Sequence, residues 1–153
     1  MLVDVSTYLP CAPEQAIRHV RSSWLLQYVA EPLLKLVPKE PSQLPATWSE
    51  GTYWVYMRLF GFVPFGKQAI VISFPEHKGG FSVRDNGYGS LTRKWDHVVT
   101  VEASGNGTLY RDRVTIEAGI LTPLVWGFAQ IFYRHRQRRW RELAARSFEY
   151  QDA

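Results

Sequence analysis

The chain has 153 residues, 46% hydrophobic and 21% charged, so it has the length of one ordinary domain and the composition of a globular rather than a disordered protein. Its net charge of +4 is local: five Arg lie between Arg134 and Arg141, and subtracting those five from +4 leaves −1. The lone Cys11 excludes an internal disulfide and a thiolate zinc cluster, and no apolar run reaches the ~20 residues of a membrane-spanning helix.

The N-terminal part of the chain predicts a strand followed by two short helices. Residues 2–9 alternate and are rich in β-formers, and Pro13 suits the first turn of a helix. Apolar residues then recur at helical spacing over residues 15–36, where Pro32 should split the segment into two helices. The prolines within residues 38–45 indicate a linker.

Residues 47–118 predict an antiparallel meander, because long strand patterns follow one another with only short turns between them. The sequence Ser-Gly-Asn-Gly at 104–107 is a strong hairpin signal. The five strands are expected at 48–60, 67–75, 81–86, 92–103 and 108–118.

The last predicted element is a helix over residues 122–147, with Thr122 as N-cap and Pro123 as its first residue. Its apolar residues cover a wide sector, which is typical of an enclosed helix. The order of elements therefore predicts one α+β domain over residues 1–153, in which a curved antiparallel sheet of about six strands wraps around this helix. We expect a mostly apolar cavity of at least ~300 Å³ between them, the lower size of usual ligand sites.

Three stretches resemble a bacterial branch of a known superfamily: Trp95-Asp96-His97, Gly107-Thr108 with Asp112-Arg113-Val114, and Phe132-Tyr133-Arg134-His135. With the order of elements, they make the chain similar to the helix-grip fold of the START, birch-pollen-allergen and polyketide-cyclase superfamily, called SRPBCC. The resemblance implies an internal pocket for a lipid, polyketide, aromatic or other hydrophobic molecule, and no shared catalytic motif. The chain differs from the branch at Val99, where a second polar aromatic residue, often His, is expected.

His97 and Asp112 are the residues most able to carry chemistry. Alternation along the last two strands turns both side chains inward, and the hairpin brings them opposite each other or one pair diagonal. A buried His beside a buried Asp is either a general base, a polar ligand anchor or a structural pair. No Ser or Cys on this face completes a nucleophilic triad, so the pattern favours binding over catalysis.

The other inward-facing residues define the expected ligand site. Asp85 shares this face, but the run Asp85-Asn86-Gly87 is explained by an Asx turn without any function. The expected ligand-binding residues are Tyr53, Val55, Met57, Phe81, Val83, Trp95, His97, Val99, Tyr110, Asp112, Val114, Phe128, Phe132 and His135.

Two surface features indicate other partners. The face of the second strand that carries Trp54, Tyr56 and Phe60 is an exposed aromatic stripe that could form a homodimer. The basic run Arg134–Arg141 could grip nucleic acid or an anionic membrane, but a solvated helix face with salt-bridged partners is the favoured interpretation.

The sequence therefore supports three hypotheses, in order: a hydrophobic-ligand binder, a pocket enzyme of the cyclase or hydrolase class, and a binder of anionic polymers or membranes. We expect no cofactor, and no metal because His19, His77, His97 and His135 lack ligand spacing. The N-terminus shows no secretory signal, so a cytoplasmic protein is expected.

Overall fold

The computed structural model describes residues 1–149, which form a seven-stranded sheet, two short helices and a long C-terminal helix. A single 3-10 turn, Gly119–Leu121, leads into the last helix. The elements in chain order are β1 (Leu2–Leu9), α1 (Pro13–Val20), α2 (Ser23–Ala30), β2 (Leu34–Glu40), β3 (Gly51–Leu59), β4 (Val63–Ser73), β5 (Gly80–Gly89), β6 (Lys94–Ser104), β7 (Gly107–Glu117) and α3 (Thr122–Ala145).

The sheet is antiparallel throughout, in the order β1-β7-β6-β5-β4-β3-β2, so the expected meander is present and β1 joins it beside β7. The predicted hairpin is confirmed, since Ser104 pairs with Gly107 across a two-residue turn in which Gly105 has a φ of 55°. The register sets Val99 opposite Asp112, which leaves His97 one pair diagonal to that carboxylate.

Two expectations for the segment after α1 are wrong. The helices separate at Arg21 and Ser22 rather than at Pro32, which instead lies in the turn before β2. Residues 34–40, expected as a helix end and linker, form the edge strand β2. An edge strand tolerates the missing N–H of Pro38 because one side of such a strand needs no ladder partner.

The position of α3 determines where space is left under the sheet. This helix packs mainly on β1, β7 and α2, and the curved sheet continues past it through β3, β4 and β5. Thr122, expected as the N-cap, lies inside the helix; its Oγ1 accepts the N–H of Ala118 and donates to the carbonyl of Gly119. Within residues 1–149, no helix is long and apolar enough to cross a membrane.

Candidate functional site

Two small cavities lie between the sheet and α3, with volumes of about 60 Å³ and 50 Å³. The expectation of at least ~300 Å³ is therefore wrong for this structure. The physical reason lies on α3, whose long inward side chains Phe132, Tyr133 and Arg136 fill much of the space that the curved sheet encloses. The remaining room suits a small chemical group rather than a whole lipid.

The cavities combine a largely apolar wall with a polar end. Both are lined by Leu26, Ile70, Asp85, His97 and Arg136, so they are two compartments around one set of side chains. The larger compartment is further lined by Ala30, Leu34, Leu36, Val55, Met57, Phe65, Gln68, Trp95, Phe128, Phe132 and Tyr133.

His97 lies at the polar end and is held from behind by Asp112. The distance from His97 Nε2 to Asp112 Oδ1 is 2.7 Å, and burial lowers the pKa of the imidazole. The neutral ring therefore donates Nε2–H to the carboxylate, which leaves the lone pair on Nδ1. The predicted contact between the two residues is present, and it orients His97 toward the cavity.

Asp112 is fully buried and accepts three further contacts. Tyr110 Oη donates to its Oδ1 at 3.1 Å, Gln137 Nε2 donates to Oδ2 at 2.9 Å, and Arg136 Nε lies 3.8 Å from Oδ1. Burial opposes the charge on Asp112, but the nearby Arg136 and the bond from His97 outweigh it and lower its pKa. Asp112 is therefore an anion under the cavity floor.

Arg136 is the most unusual residue of the site, because a guanidinium only 6% exposed lines both cavities. Its only hydrogen bond to residues 1–149 runs from Nη2 to Tyr110 Oη at 3.0 Å, and Nε is buried without a hydrogen-bond partner. Buried arginine is normally fully paired, since each unsatisfied donor costs free energy. In the sequence, Arg136 is one member of the run Arg134–Arg141, and its entry into the site was not predicted.

Asp85 is a second site residue that the sequence interpretation missed. It lies within β5, directly opposite His97 on β6, so the Asx-turn explanation is wrong. Its Oδ1 accepts the N–H of Val71 at 2.8 Å, and burial raises the pKa of the carboxyl to about 7. The signal was present, because Asp85 shares the inward face of its strand with Val83.

The structure divides the fourteen expected ligand-binding residues into two groups. Those that line a cavity are Val55, Met57, Val83, Trp95, His97, Val99, Phe128 and Phe132. The other six lie elsewhere: Tyr110, Asp112 and Val114 are buried beneath the floor, and Tyr53 binds Ser49 and packs on Trp48. Phe81 lines an outer recess beside Phe74, and His135 Nε2 contacts the carbonyl of Glu31 at 2.7 Å.

An apolar groove of about 600 Å³ lies outside the larger cavity, next to the start of α3. Phe65 and Phe128 line both spaces, with their ring centroids 6.1 Å apart. These two rings therefore form the partition between cavity and groove. The rest of the groove is lined by Leu59, Leu91, Leu121, Pro123, Leu124, Val125, Gly127 and Ile131.

The basic run of α3 is largely engaged within the protein. The Arg139 guanidinium lies 4.3 Å from the Tyr28 ring, and Arg141 donates to Thr7 Oγ1 at 2.8 Å. Trp140, which could have stacked on a base, is fully buried against Tyr110. The exposed arginines of the run are Arg134, which donates to the Gln130 carbonyl of the same helix, Arg138 and Arg141.

The outer aromatic stripe is partly covered by lysines. Lys67 Nζ lies 4.3 Å from the Trp54 ring, and Lys39 Nζ lies 5.2 Å from the Tyr56 ring. Phe60 remains 56% exposed. A homodimer through this face stays a prediction. Within residues 1–149, no group of three or more His, Cys, Asp or Glu is arranged to hold a metal ion.

The chain matches a family model described as a domain of unknown function (DUF8410) over residues 9–144, and no curated protein matches it significantly. Solved structures share its fold at low identity. A protein from Nitrosomonas europaea is 11% identical, with a TM-score of 0.68 over 98% of this chain and 97% of its own. A conserved protein from Geobacillus kaustophilus is 15% identical, with a TM-score of 0.65 over 96% and 97%. A START superfamily protein from Mycobacterium smegmatis is 10% identical, with a TM-score of 0.61 over 95% and 98%. These likenesses confirm the predicted helix-grip, START-like fold.

Proposed function

The chain belongs to the DUF8410 family, and from its own geometry we propose that it binds a small, mostly hydrophobic molecule with one polar end. The observation that carries the proposal is the polar end of the cavity, where Asp85, His97 and Arg136 face an otherwise apolar space. A purely structural core has no need of two buried ionisable groups, His97 and Arg136, and a half-buried third, Asp85, that face a void, since each costs free energy to bury.

The sizes of the two spaces suggest how such a molecule is accommodated. The inner cavity of about 60 Å³ takes the polar end, and the groove of about 600 Å³ takes the apolar remainder. Rotation of Phe65 and Phe128 would connect them, because both rings line both spaces. The START-like fold supports the same function. Members of the SRPBCC superfamily, which the sequence resembles, bind hydrophobic molecules.

A fluorescent neutral probe, N-phenyl-1-naphthylamine, tests the proposal. We expect it to bind and to be displaced by decan-1-ol. Leu36 lines the cavity, so Leu36→Trp should fill that space and abolish displacement. Leu109→Trp, on the outer face of β7, is the matched control and should behave as wild type. Equal binding by both variants, each with a normal unfolding curve, would refute the site.

Proton transfer on the bound molecule is a second candidate function. It is favoured because His97 on β6 and Asp85 on β5 are paired across the two strands and line the same cavity. No Ser, Thr or Cys lines either cavity, so covalent catalysis by a hydroxyl or thiol of these types is not supported. Exchange of the α-protons of 2-decanone in D₂O, followed by NMR, separates the two functions. Binding alone predicts no exchange above that in buffer; exchange that His97→Gln abolishes would establish catalysis.

A further inference from the structure

The polar end of the cavity offers hydrogen-bond donors that no group of residues 1–149 accepts from. Arg136 donates from Nη2 to Tyr110 and its Nε lies 3.8 Å from Asp112 Oδ1, whereas its Nη1 has no acceptor within residues 1–149; the side chain lines both cavities. Tyr133 Oη accepts from Trp95 Nε1 at 3.0 Å, and within residues 1–149 its own hydroxyl proton has no acceptor. Both residues line the larger cavity.

These donors select for a ligand that brings acceptor oxygens. A buried donor without an acceptor destabilises the protein, and a ligand that supplies a charged acceptor recovers that free energy. Hydrogen bonds between ionised groups are the strongest available. Arginine with a neighbouring hydroxyl matches the two oxygens of a carboxylate. We propose that the polar end of the ligand is a carboxylate held by Arg136 and Tyr133, an inference that rests on the proposed function.

The charges around the cavity make this binding dependent on protons. Asp112 already balances Arg136, so an added carboxylate brings one excess negative charge, and a neighbouring group that is itself an anion brings a second unless it takes up a proton. Asp85 is that group, because its pKa of about 7 lets it accept a proton near neutral pH. His97, whose pKa is lowered by burial, contributes only in more acidic solution.

The other ionisable groups near Asp85 lie on the sheet and on α3. The sheet contributes His97, Asp96, Tyr110 and Asp112, and α3 contributes Tyr133 and Arg136. The residues from α1, α2 and β4 at the two cavities are uncharged: Val20, Leu25, Leu26, Ala30, Phe65, Gln68, Ile70 and Ile72. Asp96 is already paired with Arg84, at 2.9 Å, on the outer face. Asp85 is therefore the group expected to change charge between pH 6 and 8.5.

Calorimetric titration with decanoate and decan-1-ol, which differ only in the polar end, tests the inference on the full chain. At pH 6.5 we expect decanoate to bind at least about tenfold more tightly, the effect of one charged hydrogen bond. Above pH 7 its affinity should fall by up to about tenfold per pH unit, while that of decan-1-ol stays constant. In Asp85→Asn the slope should disappear.

Variants of the donors complete the test. Arg136→Met with Asp112→Asn removes the ion pair as a unit, so that no unpaired charge is left in the core, and should abolish the preference for decanoate. Tyr133→Phe should weaken the preference for decanoate over decan-1-ol. Arg138→Met, exposed on the same helix, is the control and should change nothing. Equal binding of decanoate and decan-1-ol would overturn the carboxylate, whereas failure of both ligands and of the neutral probe would overturn the proposed function itself.

Discussion

Removing the charge of Asp112 is the sharpest test of the buried network. The substitution Asp112→Asn keeps the size of the side chain and one acceptor oxygen. It removes the anion that lies 3.8 Å from Arg136 Nε and that accepts from His97, Tyr110 and Gln137. The guanidinium then stays buried with no opposite charge beside it, because arginine cannot lose its proton in a protein.

The expected loss follows from this geometry. Disturbing a neutral buried hydrogen bond costs about 1–3 kcal/mol, whereas breaking a buried ion pair on one side costs about 3–5 kcal/mol. We expect the larger range, measured as the free energy of unfolding in urea at pH 7 and followed by tryptophan fluorescence. Because the pKa of Asp112 is lowered in the folded state, its contribution is present above about pH 4 and is lost as the pH falls.

Matched variants identify the cause of that loss. Asp4 pairs with Arg111 at the surface, where the two side chains are 32% and 44% exposed, so Asp4→Asn should cost under about 1 kcal/mol. In an Arg136→Met background, Asp112→Asn should cost much less than in wild type. If Asp112→Asn costs no more than Asp4→Asn, or the same in both backgrounds, the ion-pair reasoning is refuted.

Three further predictions concern pH, charge and access. The raised pKa of Asp85 means that the folded state binds this proton more tightly than the unfolded state. The free energy of unfolding in urea should therefore decrease from about pH 4 to pH 7, by at most about 4 kcal/mol, and Asp85→Asn should lack this decrease. Since Arg136, Arg139 and Arg141 of the basic run already contact groups within the protein, a fluorescence-anisotropy titration should find no tight DNA binding at physiological salt. Tight, salt-sensitive binding that is lost in Arg138→Glu with Arg141→Glu would contradict this. Because Phe65 and Phe128 separate groove and cavity, Phe65→Ala should speed association of the neutral probe in stopped-flow fluorescence; an unchanged rate would exclude this route.

Local patterns sufficed to predict most of the fold. Alternation along β6 and β7 places His97 and Asp112 on the inward face, and the two-residue turn between them fixes which residues meet. The strand β2 was missed because Pro38 lies within it and Pro32 and Pro41 lie close to its ends, which indicated a helix break and a linker. An edge position is decided by tertiary pairing that local propensity does not contain.

The interior of the site depends on information that alternation does not carry. Facing rules placed Asp85 inward, but only the pairing with His97 in the middle of a strand shows that it is not a turn residue. Arg136 occurs in a run of arginines whose members have different environments, and packing of α3 against β1 and β7 decides which one is buried. The small cavity volume follows from these inserted side chains, which secondary structure alone does not describe.

If the ligand lies between the sheet and α3, the two methionines of the chain should report its binding differently. Met57 lines the larger cavity, whereas Met1 is 48% exposed on the surface. With methyl-¹³C methionine, titration with decanoate should shift the Met57 methyl signal, give contacts from that methyl group to the ligand chain, and leave Met1 unchanged. Saturating binding of decanoate without any shift of the Met57 methyl signal would contradict binding in this cavity.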